Sequence, residues 1–301
     1  LKIPNNDIKI TKSGNYILQV FENDKVIFEK QFFVVNKKTI IKAEVQKSRL
    51  IDSRFTKQNI SFKIDLLNNK VSDPFSDITV VIKKNNNDLE SIKNLKPLFV
   101  ENNKLTYDYE KESNFWGGNQ FRYFSTSSLR FISDRVEDII FDSKSNIQIN
   151  LVEDWSRMLD NYSTYPDING SFLIDCEECW NSDVESEYVN VRFVLNYNEK
   201  ISYGRVYVVG KFNNWKIDEK YELKYDFKNQ KYSRLINLKQ GYYNYHYVLV
   251  DDYSKKTNFN LFEGSYYQTI NDYYIYVYLN NPFNRYTELI GYEKISSKNL
   301  F

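Results

Sequence analysis

The sequence predicts an all-β protein made of tandem immunoglobulin-like β-sandwich domains. Three observations point that way. Short runs of alternating apolar and polar residues recur along the chain, each bounded by polar turn residues. The 26 tyrosines and 21 phenylalanines, interleaved with Ile and Val, favour half-buried strands. With only 9 Gly and 5 Pro, the turns must rest on Asn and Asp, which tolerate the left-handed conformation. Asn85-Asn86-Asn87 and Asn213-Asn214 fit that role.

A chain of 301 residues allows two or three domains. Tyr16, Leu18 and Val20 alternate with Ile17, Gln19 and Phe21; Asn23-Asp24 turns, and 26–34 returns as a second strand. Two strands are marginal alone, so 1–36 is either the C-terminal remnant of a first sandwich or an addition to the next domain. Leu1 is not methionine and opens on a strand-like pattern, which predicts a mature or truncated product. From Thr39, strands are expected at 60–64, 78–82, 105–109, 121–124 and 147–151, making 37–151 a second sandwich. Leu151, Trp155, Met158 and Tyr162 share one helical face, and the polar stretch 152–186 reads as a connecting segment with one strand near Phe172. Alternation resumes at Glu187 and continues at 204–209, 221–226, 231–237, 242–250, 273–279 and 286–292, giving a third sandwich over 187–301.

Lys and Arg number 41 against 40 Asp and Glu. No basic cluster exceeds pairs such as Lys37-Lys38 and Lys255-Lys256, so nucleic-acid binding is not expected. No apolar run approaches the ~20 residues that span a bilayer, so no direct membrane insertion is expected.

Chemistry-bearing residues are sparse. His246 is the single histidine, on a strand face with Asn244 and Val248. One histidine excludes His-rich metal sites and two-His schemes, and a serine triad would lack its G-x-S-x-G elbow. Cys176-Glu177-Glu178-Cys179 is a single C-x-x-C with no second ligand pair. The two acids between the thiols raise a thiol pKa, the opposite of what a redox motif needs. A small loop disulfide and two idle thiols both remain open. Trp116-Gly117-Gly118-Asn119 lacks the Gly-Lys-Ser/Thr of a phosphate loop and runs on as a strand, so its glycines suit a tight turn or bulge. Acid pairs such as Asp251-Asp252 would need a cleft to act as a glycosidase. No catalytic residue, metal or cofactor is expected, and the protein is read as a non-enzyme.

Val208-Val209-Gly210-Lys211-Phe212-Asn213-Asn214-Trp215, followed by a strand at 232–236 and by Gly241-Tyr242-Tyr243, resembles the opening of glycogen-binding-module-like sandwiches. Such modules stack sugars on aromatic faces. On that reading Trp215, Tyr232, Lys211 and Asn213 would hold a glycan. The alternative is that Phe212 and Trp215 plug one end of the sandwich. Exposure decides between them, because a buried Trp215 can stack on nothing.

A set of stretches in fixed order carries a wider resemblance over essentially the whole chain. It comprises Ser13-Gly14-Asn15-Tyr16, Asn114 through Arg122, Asp167-Ile168-Asn169-Gly170, the Gly210 to Trp215 run, Leu238 through Tyr245, and Arg285-Tyr286-Thr287-Glu288-Leu289-Ile290-Gly291-Tyr292. Together they resemble the type IX secretion system plug protein family. The resemblance implies a periplasmic protein, associated with the outer membrane and without enzymatic activity. It would close the periplasmic opening of the outer-membrane translocon β-barrel (SprA/Sov type). It also implies more first-domain sequence ahead of the Ser-Gly-Asn-Tyr strand. Phe115, Trp116, Asn119 and Arg122 are then the expected partner-binding residues, with Trp and Arg as anchors; the alternative is that this segment is a turn with a buried aromatic.

Overall fold

The computed structural model describes residues 3–69, 71–143, 146–280 and 286–300. Leu1 and Arg285, singled out above, lie outside them. In chain order come β1 (Gly14–Glu22), β2 (Lys25–Val34), β3 (Ile40–Lys47), β4 (Lys57–Asp65), β5 (Ile78–Lys84), β6 (Ser91–Leu95), β7 (Phe99–Glu101), β8 (Lys104–Tyr107) and β9 (Asn114–Trp116). Then follow β10 (Arg122–Ser125), β11 (Val136–Ser143), β12 (Asn146–Leu151), β13 (Asp154–Trp155), β14 (Phe172–Ile174), β15 (Tyr188–Asn196), β16 (Gly204–Val209), β17 (Glu222–Asp226), β18 (Lys231–Lys239), β19 (Gly241–Asp251) and β20 (Thr257–Asn258). The chain closes with β21 (Asp272–Leu279) and β22 (Glu288–Ser296). Helices among the described residues are single turns, and none is long and apolar enough to cross a membrane.

Contacts divide the chain into two compact units. The first holds Leu1–Arg54, Gln58–Phe115 and Asn271–Phe301. Its sheets run β22-β21-β5-β6 and β3-β4-β8-β7, with β9 on β4. Strict alternation on β5 turns Ile78, Val80 and Ile82 into a core shared with Ile60, Phe62, Ile64, Ile275 and Val277. Phe62 stacks on Tyr107 at 4.4 Å, and Phe115 meets Tyr273 at 5.2 Å. The expected hairpin is present as the antiparallel pair β1-β2. It is held by Phe33, whose ring lies 5.2 Å from Tyr276 and 5.0 Å from Tyr292, and by the Asn36 N–H donating to Leu289 O at 3.0 Å.

The second unit holds Phe55–Lys57 and Trp116–Ile270. One hydrogen-bonded path runs β10-β19-β16-β17-β18-β15-β12-β11. Phe124 on β10 meets Phe193 on β15 edge-on at 5.5 Å, so the sheet folds back on itself as a sandwich around one core. All pairings are antiparallel except β12 and β13 with β15, which are parallel.

The all-β sandwich class holds, but the strands are grouped differently from their order in sequence. β21 and β22, read as the end of the third sandwich, lie in the first unit, where β21 pairs with β5 from Tyr273↔Lys84 to Leu279↔Ile78. β11 and β12, read with the second sandwich, join β15. The helical face at Leu151, Trp155, Met158 and Tyr162 does not form a helix: Leu151 ends β12 and Trp155 lies in β13. Asp154 between them is buried against Arg122 and pairs with Leu195 of β15, so the segment runs extended. The strand expected near Phe172 is β14.

Candidate functional site

The segment from Trp116 to Arg122 leads into the second unit. Gly117 lies against the chain at Tyr266, where a Cβ would stand 2.0 Å from the Tyr266 carbonyl oxygen. Its N–H donates to Thr56 O at 2.9 Å, and the Gly118 N–H donates to Ser265 Oγ at 3.0 Å. The glycines therefore serve a close backbone crossing.

Of the expected partner-binding residues, Trp116 alone is exposed, with the Lys57 ammonium 4.3 Å from its ring centre. Phe115, Asn119 and Arg122 are buried, where the reading above expected exposed contact residues; Asn119 and Arg122 reach the surface only as lining of a cleft. Asn119 donates to Glu263 O at 2.9 Å. Arg122 stands at the centre of an ionic cluster. Its Nε donates to both Glu263 carboxylate oxygens at 3.0 Å, its Nη1 to Asp154 Oδ1 at 2.8 Å, and its Nη2 to Trp155 O at 2.7 Å. Arg157 Nε adds a bond to Glu263 at 3.0 Å, and Arg135 Nη2 one to Asp154 at 3.0 Å. Tyr245 Oη and Tyr247 Oη both donate to Asp154 Oδ2, at 2.7 and 2.9 Å.

The electrostatics follow from this geometry. Burial pushes Glu263 up, but the Arg122 and Arg157 guanidiniums outweigh it and hold the carboxyl below the ordinary range. Burial and then Asp154 push Tyr245 and Tyr247 well above the usual phenol value. Asp154 accepts from two guanidiniums and two phenols, which fills its acceptor positions. Carboxylates so engaged act as cross-links between segments. A cleft of about 400 Å³ opens onto the cluster, and Arg122, Asp154 and Arg157 line it together with Asn119, Tyr123 and Tyr165.

The glycan residues do not form a sugar platform. Trp215 is buried against Phe121, at 5.8 Å, and against Gly170, where a Cβ would lie 2.5 Å from the indole. Gly170 has φ +75°, so two constraints require glycine there. Asn213 is buried; its Oδ1 accepts from Gly210 N at 3.1 Å and its Nδ2 donates to Val208 O at 3.1 Å. Tyr232 is buried and its hydroxyl accepts from Ile201 N at 2.7 Å. Lys211 is exposed, but no aromatic face opens beside it among these residues. The FNNW corner fixes a turn and closes the sandwich.

His246 stacks on Phe121 at 3.9 Å and is buried. Cys176 and Cys179 form a disulfide, with Cα atoms 5.3 Å apart. Among the described residues, no group of three His, Cys, Asp or Glu is placed to hold a metal ion. Sequence reasoning missed both the buried role of Arg122 and the fully exposed Trp180 directly after Cys179. For Trp180 the available signal was an indole inside a run of acids; for Arg122 there was none, since its partners are remote in sequence.

Fold and site together define a multi-sandwich β protein, with a hairpin attached to one sandwich and a charged cluster locked inside the other. Residues 1–36, which contain that hairpin, match the model of the type 9 secretion system plug protein 1st domain. The chain is similar to a hypothetical protein from Parabacteroides merdae ATCC 43184, known from its crystal structure. The two share 32% sequence identity and superpose with a TM-score of 0.92, over 98% of this chain and 74% of that one. No curated protein matches the chain. The chain belongs to the type IX secretion system plug protein family, which gives it a role in type IX secretion and an association with that system at the cell envelope.

Proposed function

We propose that this protein is a non-enzymatic plug subunit in the periplasm that closes the periplasmic opening of the type IX outer-membrane translocon barrel. The observation that carries this reading is the match of residues 1–36 to the plug protein's first domain, in a chain where that segment folds as the β1-β2 hairpin. Two further features support it. The Cys176–Cys179 disulfide suits an oxidising compartment outside the cytosol. The buried Arg122 cluster stiffens the second sandwich, and a preformed shape lowers the ordering cost of an interface that must also release. A standard interface of ~1,600 Å² would suffice, since area does not fix affinity.

The test is a deletion strain scored for entry of a large antibiotic, with the gene restored in a parallel strain. Increased entry that the restored gene reverses, with co-purification of the barrel, is the expected result. Unchanged entry together with a barrel that carries no trace of this protein overturns the proposal.

A further inference from the structure

The segment between β14 and β15 leaves the second sandwich and returns to it at a single residue. Asp175 N donates to Gln240 O at 3.3 Å, Gln240 N donates to Glu187 O at 2.8 Å, and Glu187 N donates to Gln240 Oε1 at 2.9 Å. Gln240 is itself buried, and its Nε2 donates to Thr126 O and Ser127 O at 3.4 and 3.3 Å. Both ends of the loop 175–187 are thus clamped to one fixed side chain and its backbone.

The loop is also braced within. The disulfide closes 176–179. Ser127 Oγ donates to Glu177 at 2.9 Å, and Ser128 Oγ bonds to Glu178. Trp180 N donates to Glu185 Oε2 at 2.9 Å, and Lys239 Nζ donates to Asp183 O at 2.6 Å. A compact loop with adjoining ends and internal bonds holds one shape without a partner.

On this braced loop the Trp180 side chain is 100% exposed, and Val184 is 74% exposed. Leu173 and Tyr188, just outside the two clamped ends, are exposed as well. The backbone that carries the indole is fixed, while the side chain itself touches nothing among the described residues, an arrangement suited to docking. Its burial removes a large apolar area, and the braced backbone leaves only the two side-chain torsions of Trp180 to be ordered. The charge is one-sided: Asp175, Glu177, Glu178, Asp183, Glu185 and Glu187 lie in the run, with no Lys or Arg among 175–187.

We propose that the loop 175–187 is a docking knob for a folded protein that offers an apolar slot for Trp180, rimmed by Lys and Arg. The carboxylates complement such a rim and are repelled by anionic lipid headgroups, so a protein and not a membrane surface is the occupant. This goes beyond the plug reading and does not require it.

The test places a photo-reactive benzoylphenylalanine at position 180 of the full chain in native cells, and a control at Tyr253, which is 88% exposed on a different turn. The cross-linked protein is identified, purified and titrated against the full chain. The expected result is one protein captured from position 180 and not from 253. Its affinity should fall at least tenfold for Trp180→Ala and for the double charge reversal Asp183→Lys with Glu187→Lys. It should stay unchanged for Tyr253→Ala and weaken with added salt. Capture of the translocon barrel with these affinities supports both proposals. Capture of another protein with these affinities supports the knob and counts against the plug. Lipid adducts alone, no adduct, equal capture from 253, or affinity indifferent to Trp180 overturns the knob. Circular dichroism of each variant checks that the fold is intact.

Discussion

Arg122 shows how far a single residue can depart from its ordinary role. Arginine in a Trp-Gly-Gly strand invites an interface reading, since exposed Arg anchors many contacts. Here its acceptors are Asp154, Trp155 and Glu263, which lie far along the chain and which no local pattern could reveal. Replacing it with Met leaves two buried carboxylates short of a partner. The expected loss is about 3–5 kcal/mol, read from urea unfolding. Glu263 adds a pH dependence. Its native carboxyl titrates below the ordinary range, because Arg122 and Arg157 overcome the upward push of burial. The unfolded chain therefore binds a proton first as pH falls. The stabilisation is complete above the unfolded value of about 4.3 and is lost as pH drops towards the native value. The Glu263→Gln protein should be less stable at neutral pH and show a flatter acid limb than wild type. Parallel slopes down to about pH 3 would remove Glu263 as the cause. Trp215 is a different case, a residue for which the sequence offered both a sugar platform and a plug of the sandwich end, and whose indole fills a corner against Gly170 and Phe121. Trp215→Ala should cost about 3–5 kcal/mol. Calorimetry with maltoheptaose should show no binding to wild type; micromolar binding abolished by Trp215→Ala would restore the glycan reading.

Elements differ in how much they owe to their neighbours. The loop disulfide closes a small ring, so removing it releases little chain entropy. Cys176→Ser with Cys179→Ser should keep the fold and lose at most about 2 kcal/mol in denaturant unfolding. A variant that fails to fold would mean the bridge does more than brace its own loop. Strands β5 and β15 were legible through strict alternation, and β16 and β19 through near-continuous runs of Val and Tyr, residues that favour strands. β11 was not, since Glu137, Asp138 and Asp142 interrupt its apolar residues. The false helix after Leu151 arose from four apolar residues that happened to match a period of 3.6, with no cap and no helix-forming run between them. Pairing was hidden throughout, because alternation gives the face of a strand and says nothing of its partner. The parallel junction of β12 with β15 and the long return of β21 to β5 are both of this kind.

At the scale of the molecule, the second unit is almost one continuous stretch, Trp116–Ile270, completed by Phe55–Lys57. The fragment 116–270 should fold alone as a cooperative β protein. It should be weaker for lacking the Thr56 carbonyl that accepts from Gly117 and Ser265. A fragment without dispersed amide resonances in NMR would show that the three outlying residues are indispensable. The first unit has the opposite property. Its sheet β22-β21-β5-β6 takes two of four strands from beyond residue 270, and β21 sits at an inner position. During synthesis β5 emerges early and waits for a neighbour almost two hundred residues behind it. Until then one side of β5 has no mate, and its Ile78, Val80 and Ile82 lack the cover of Ile275 and Val277. Contacts so distant along the chain are slow to close and leave a sticky intermediate. The nascent chain is therefore a natural client for holding chaperones, and a chain that stops near residue 270 leaves this sheet as the pair β5-β6 alone, with the edge of β5 that β21 would take left open.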